Sequence, residues 1–213
     1  MANPDIRAVL WDFGGVLTTS PFDAFSAYES EFGLPPGAIR TLNATNPDDN
    51  AWARFERSHI AVDEFATLFE KEATDAGLSI DAMTLLSKLS GEIRPAMVEA
   101  LRRCHERLKT GLLTNNFILD EGSRVEDGYA PVLELFDAVI QSSTSGFRKP
   151  DPRFYATACE MLAIQPNEAV FLDDLGVNLK PARQMGMTTI KVIDPELAIA
   201  ELEEILGFPL RGD

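Results

Sequence analysis

The sequence predicts an α/β fold: a parallel sheet with helices on both faces, interrupted early by a block of helices alone. Three observations carry this. From about residue 93 onward, short apolar runs alternate with segments of helical period, and strand–helix alternation implies a parallel sheet. One further apolar run, Ile6 to Trp11, stands far upstream by itself. Between the two regions, residues 21 to about 92 show helical periodicity and no strand-like run. A length of 213 residues suits one large domain or one domain with a sizeable insertion. The predicted division is therefore a core made of residues 1–16 and 93–213, with residues 17–92 inserted.

Ile6 to Trp11 reads as the first strand. It ends at Asp12 and runs into the flexible Gly14-Gly15-Val16. Phe22, Phe25 and Tyr28 to Phe32 predict a helix, closed by Gly33-Leu34-Pro35-Pro36. Asn46 to Asn50 is a turn-rich break. Phe65, Leu68, Phe69, Ala73 and Ala76 recur at helical spacing, with Gly77 as a stop. Pro95 sits near the next helix start, and Met97, Leu101, Cys104 and Leu108 line one face. A strand at Thr110 to Thr114, a loop, and a strand at Asp137 to Ser142 follow. Then come a helix carrying Phe154, Ala158 and Leu162, a strand at Ala169 to Leu172, and a helix to about Met185. A strand at Thr188 to Ile193 and a helix from about Pro195 to Leu206 complete the alternation.

Composition narrows the function. A net charge of −15 argues against nucleic acid and anionic membrane as partners. The basic cluster Arg102, Arg103, Arg107 and Lys109 reads as the solvated face near one helix's C-terminus, where cations suit the dipole. Cys104 and Cys159 fall on apolar helix positions and read as small buried hydrophobes in a reduced compartment. His59 and His105 are too few for a histidine-rich zinc site and read as surface or cap residues. Met1 to Asp5 lacks a signal-peptide pattern. No run approaches the ~18 apolar residues of a membrane span. The expectation is a soluble cytoplasmic protein.

Parallel sheets place their sites at the C-terminal ends of the strands. Asp12, Thr114-Asn115 and Asp173-Asp174 all fall at such ends, and Lys149 lies in a loop after one. Taken singly, each has an ordinary reading as a turn, helix cap or solvated loop residue. Together they suit transfer of a phosphoryl group to an aspartate. Asp12 would attack phosphorus, splitting one hard displacement into two easier ones. Two anions must meet, so a cation is needed, and Mg²⁺ takes oxygen ligands while keeping several waters. Asp12, Asp174 and the Gly14 carbonyl would hold it. Asp173 would be a further ligand or an orienting neighbour, and Asn178 would orient the metal site. Thr114 and the backbone at Asn115 would bind the phosphate oxygens, and Lys149 would neutralise them.

The motifs Arg94-Pro-Ala-Met, Leu112-Leu-Thr-Asn, Gly146-Phe-Arg-Lys-Pro-Asp-Pro and the run from Phe171 to Met187 resemble the haloacid dehalogenase superfamily. Within it, the chain looks more closely like the phosphatase domain at the N-terminus of mammalian soluble epoxide hydrolase and its bacterial single-domain relatives. The resemblance runs through nearly the whole chain, and no downstream epoxide hydrolase domain is expected. It implies a Rossmann-like core, with residues 17–92 as a helical cap inserted after the nucleophile motif. It also implies Mg²⁺-dependent hydrolysis of a small phosphorylated metabolite through an aspartyl phosphate.

One departure bears on mechanism. The superfamily's usual Asp-x-Asp is here Asp12-Phe13-Gly14. Gly14 can offer a carbonyl to the metal but cannot move a proton, and such help is worth about 10² to 10⁴ in rate. Thr18, Thr19 and Asp23 are nearby in sequence, and no choice among them follows. Two rival readings stay open: a phospho-ligand binder with little or no turnover, and a metal-independent 2-haloacid dehalogenase. Phe22, Phe25, Trp52, Phe55, Phe65 and Phe69 either line an apolar pocket or pack the cap's own core, and helical spacing favours packing.

Overall fold

The computed structural model describes residues 6–89, 91–115 and 124–212, with the backbone alone for 124–128. The N-terminal Met1 to Asp5 and part of the loop expected after Thr114 lie outside the described residues. Five strands form one parallel sheet: β1 (Ala8–Trp11), β2 (Lys109–Thr114), β3 (Ala138–Gln141), β4 (Ala169–Asp173) and β5 (Thr188–Lys191). Their order is β3-β2-β1-β4-β5, so β1 lies at the centre with β2 and β4 beside it. Trp11 is level with Leu112 on one side and Leu172 on the other. That register brings Asp12, Thr114 and Asp173 to one edge.

The helical insertion holds α1 (Pro21–Phe32), α2 (Ala38–Ala44), α3 (Ala51–Glu56), α4 (Val62–Asp75) and α5 (Ala82–Ser87). After it come α6 (Pro95–His105), α7 (Arg124–Leu133), α8 (Ser142–Ser145), α9 (Pro152–Leu162), α10 (Gly176–Gln184) and α11 (Pro195–Leu206). Alternation along β1 divides the core. Val9 and Trp11 face Met97, Leu101 and Cys104 of α6 and Ile199 and Leu202 of α11. Ala8 and Leu10 face Phe154 and Ala158 of α9 and Leu179 and Ala182 of α10. Helices on both faces of a parallel sheet make the Rossmann-like architecture. The insertion gathers around a separate cluster that includes Phe25, Tyr28, Phe55, Phe65, Phe69 and Leu85. The strands leading into and out of it meet: Thr18 bridges Ile93 antiparallel, and the Arg94 N–H donates to the Leu17 carbonyl at 2.8 Å.

Several boundaries move. The stretch between β2 and β3, read as loop, contains α7. Gly128 and Pro131 are breaker signals, yet Tyr129 and Val132 bury against the sheet and override them. The third strand stops at Gln141, because Ser142 opens the short α8. The fifth stops at Lys191 rather than Ile193. Cys104 and Cys159 are buried and free, and His59 and His105 are exposed. Arg102 and Arg103 pair with Glu99 on their own helix. No described helix is long and apolar enough to cross a membrane.

Candidate active site

The groups at the sheet edge divide into those already satisfied and those left open. Lys149 Nζ sits 2.7 Å from Asp12 Oδ1 and 2.7 Å from Asp173 Oδ2, with its side chain 1% exposed. Burial alone would strip a lysine of its proton, but the two carboxylates outweigh that and hold its pKa above the usual value. The backbone of Lys149 is clamped by Asn115, whose Oδ1 accepts from its N–H at 2.8 Å and whose Nδ2 donates to its carbonyl at 2.9 Å. Asn115 therefore uses its side chain to place the lysine.

Asp173, the last residue of β4, is fully engaged. Its Oδ1 accepts from the Leu175 N–H at 2.8 Å, and Asn178 Nδ2 lies 3.1 Å from both carboxylate oxygens. Asn178 stands in the first turn of α10, fixed by the Tyr155 hydroxyl, which donates to its carbonyl at 2.6 Å. With its lone pairs taken, Asp173 suits an orienting role.

The open groups are different in kind. Asp12 Oδ1 accepts from the Phe13 N–H at 2.7 Å and meets Lys149. Among the described residues, nothing donates to Asp12 Oδ2 or to the Gly14 carbonyl, and Thr114 Oγ1 and the Asn115 N–H make no hydrogen bond. Asp174 receives one long side-chain contact, from Ser20 Oγ at 3.4 Å. Asp12, Gly14, Thr114, Asn115 and Asp174 all line one cavity. Asp12 and Thr114 are buried and Gly14, Asn115 and Asp174 half-buried, so the set turns uncommitted polar atoms toward the cavity, where a ligand could take them.

The charge balance says which ligand. Asp12, Asp173 and Asp174 offer oxygens within 4.8 Å of one another, and the Lys149 ammonium pairs with the first two. Burial first, and then the neighbouring acids, push the Asp12 pKa well above its usual value despite Lys149. The same causes raise Asp174 to about 6. A surplus of hard oxygen donors and negative charge fits Mg²⁺. Gly15 makes the approach possible: its φ is +78°, and a Cβ there would stand 2.4 Å from Asp174 Oδ2. Arg94 Nη1 donates to the Gly15 carbonyl at 2.6 Å and fixes the turn.

Where an acid is missing, the structure supplies no obvious replacement among the three residues considered. A Cβ at Gly14 would lie 3.2 Å from Pro21 Cγ, so that face of the turn is covered. Thr18 lines the cavity, but its hydroxyl donates to the backbone carbonyls of Phe13 and Thr19. Thr19 Oγ1 accepts from the Glu92 N–H, and Asp23 is exposed on α1.

The cavity measures about 1060 Å³ and reaches from the sheet edge into the cap. Phe22, Phe25 and Trp52 line it, whereas Phe55, Phe65 and Phe69 stack within the cap's own cluster. The six aromatics thus split between the two roles weighed for them. Glu56 also lines the cavity, and sequence reasoning passed over it. It sits in an ordinary amphipathic helix, and only the tertiary structure buries it.

Comparison with known proteins follows the same lines. A family model described as hydrolase, haloacid dehalogenase-like hydrolase, matches residues 6–186. Acyl-CoA dehydrogenase family member 10 of Mus musculus is 38% identical over 96% of this chain, which spans 20% of the mouse protein. Bifunctional epoxide hydrolase 2 of Sus scrofa is 31% identical over 96% of this chain and 40% of its own length. A phosphatase of Mycobacterium tuberculosis is 33% identical, with 85% of each chain covered. Among solved structures, a haloacid dehalogenase family enzyme from Bacteroides thetaiotaomicron, in complex with magnesium and inorganic phosphate, aligns with a TM-score of 0.60. It is 20% identical and covers 87% of this chain and 93% of its own, a likeness of fold.

Proposed function

Because the chain belongs to the haloacid dehalogenase-like hydrolase family, we propose that it is a Mg²⁺-dependent phosphatase of a small phosphate monoester with an apolar body. The observation that carries this is the set of unpaired groups around one cavity: carboxylate and carbonyl oxygens on one side, a hydroxyl and an N–H on the other. Cation ligands and phosphate ligands stand side by side. The phosphatase among the relatives supports the same reading.

In this mechanism Asp12 is the nucleophile. Lys149 and the Phe13 N–H hold Oδ1 and leave Oδ2 to attack phosphorus. The Thr114 hydroxyl and the Asn115 N–H bind phosphate oxygens, and Lys149 offsets their charge. Asp12, Asp174 and the Gly14 carbonyl would hold the metal, which supplies charge neutralisation where two anions meet. The P–O bond to the alcohol breaks as the bond to Asp12 forms, and water then hydrolyses the aspartyl phosphate. With Gly14 unable to give a proton, esters of acidic alcohols are the better substrates. Phe22, Phe25 and Trp52 offer the apolar body a wall.

The test is phosphate release from a graded panel: glycerol, prenyl and aryl phosphates, each with Mg²⁺ and with EDTA. Metal-dependent release that rises with apolar size is expected. Tight binding of the esters without turnover would replace the enzyme by a phospho-ligand binder. Halide release from a 2-haloacid without metal would favour the dehalogenase, for which the acid surplus has no use.

A further inference from the structure

We propose that Glu56 is a positioning residue that ties closure of the helical cap to the placement of Lys149; this rests on the phosphatase reading above. Glu56 ends α3, one turn after Trp52, and makes three contacts with different partners. Its Oε1 accepts from Trp52 Nε1 at 2.9 Å, on the cavity wall. Its Oε2 lies 2.8 Å from Arg148 Nη1, a close ion pair without hydrogen-bond geometry, across the gap between cap and core. Its backbone carbonyl accepts from Ser142 Oγ, a fully buried hydroxyl just past the end of β3. Two of the three contacts join the insertion to the core, and the third reaches the cavity wall.

The position of Arg148 gives the contact its meaning. It immediately precedes Lys149, and its own Nε approaches the Lys149 carbonyl at 3.4 Å. That carbonyl is also the acceptor for Asn115 Nδ2. A pull on Arg148 therefore acts on the peptide that aims the Lys149 ammonium at Asp12. The Glu56 side chain is 12% exposed and that of Arg148 25%. Taking two charges out of water gains little net stability but leaves a heavy penalty when one partner is missing. Such a pair is better suited to fixing register than to adding stability. Here the register is cap against core: the charges are matched only when α3 sits on the loop before Lys149. Substrate pressing on Trp52 would bear on the same carboxylate that holds Arg148.

The experiment is a double-mutant cycle with p-nitrophenyl phosphate, using Glu56→Gln, Arg148→Gln and the pair, alongside hydrogen exchange of the α3 amides. Glu56→Gln keeps an acceptor for Trp52, so the cap core is spared. Each single change should lower kcat/KM by roughly 10- to 100-fold, mainly in kcat, as a misplaced catalytic group does. The double variant should be no worse than the poorer single. Exchange in α3 should quicken in all three. Independent, multiplicative losses would overturn the coupling, as would unchanged exchange in α3. A loss confined to Glu56→Gln that grows with the basicity of the leaving alcohol would overturn it too, making Glu56 a proton donor instead. If the wild type hydrolyses nothing, the phosphatase reading fails, and the exchange data alone decide whether Glu56 and Arg148 join cap to core.

Discussion

The sheet edge and the helical cap are built on opposite principles. At the edge, charge is concentrated and geometry is over-determined: one buried lysine serves two carboxylates, Asn115 spends its whole side-chain amide on Lys149, and Asn178 gives its Nδ2 to Asp173. In the cap, an aromatic cluster supplies the cohesion, and Trp52 is shared between cluster and cavity. Under the proposed function, the edge would set which reaction is possible and the helical insertion what is admitted to it. A rigid polar frame under an apolar, locally cored lid lets chemistry and selection vary separately.

The largest expected effect breaks the edge. Lys149→Met leaves Asp12 and Asp173 facing each other in a buried site without their cation. Breaking a buried pair costs about 3–5 kcal/mol, so thermal unfolding should show a large drop, with turnover lost as well. A variant as stable as wild type would mean that the lysine does not organise this edge.

Phe65→Ala strikes the cap instead. Phe65 is fully buried and stacks on Phe55 and Phe69 with centroids 4.5 and 5.2 Å away. Truncating a buried phenylalanine costs about 3–5 kcal/mol. The loss should fall on the cap amides in hydrogen exchange while β1 and β4 stay protected. Equal exposure of both regions would show that cap and core unfold as one unit.

A smaller effect separates the regions by pH. Asp174 is raised from 3.8 to about 6, chiefly by burial and then by Asp173. Its folded form binds protons more tightly than the unfolded chain does. In EDTA that stabilisation is complete below about 4 and is lost as pH rises through about 6. Relative to Asp174→Asn, the metal-free protein should lose a few degrees of Tm between pH 4.5 and 7. Mg²⁺ should restore them at pH 7 and do little at pH 4.5. A parallel pH dependence in the two proteins would remove Asp174 from the acid cluster's electrostatics.

The smallest effect is also the most specific. Gly14→Asp restores a carboxyl at the position of the missing acid, but Pro21 must yield a few tenths of an ångström to admit it. If proton transfer limits turnover, alkyl phosphates should gain more than p-nitrophenyl phosphate. Equal changes would show that another group already moves that proton.

The same contrast governs how much was legible beforehand. The acids and Thr114 of the edge could be read because strand endings announce them: Leu10-Trp11 before Asp12, Leu112-Leu113 before Thr114, Phe171-Leu172 before Asp173. What the strand endings did not give was the hydrogen bonding of each group. That Asn115 clamps a backbone with its amide, and that Asp173 is saturated while Asp174 is open, depends on side-chain directions beyond the strand ends. In the cap, helical spacing announced helices but could not say that Trp52 faces the cavity while Phe65 faces inward. Glu56 was invisible for a related reason: its partners Arg148 and Ser142 are about ninety residues away in sequence. α7 was missed because Gly128 and Pro131 outweigh, locally, the burial of Tyr129 and Val132 that only the fold provides.

On the proposed function, Asp12 works as a nucleophile in a metal-loaded site. p-Nitrophenyl phosphate hydrolysis by wild type and Asp12→Asn, each with Mg²⁺ and with EDTA, tests it most directly. Turnover is expected only in wild type with Mg²⁺, with a loss of at least about 10⁴-fold in the variant. Hydrolysis that survives either EDTA or the loss of Asp12 would contradict it.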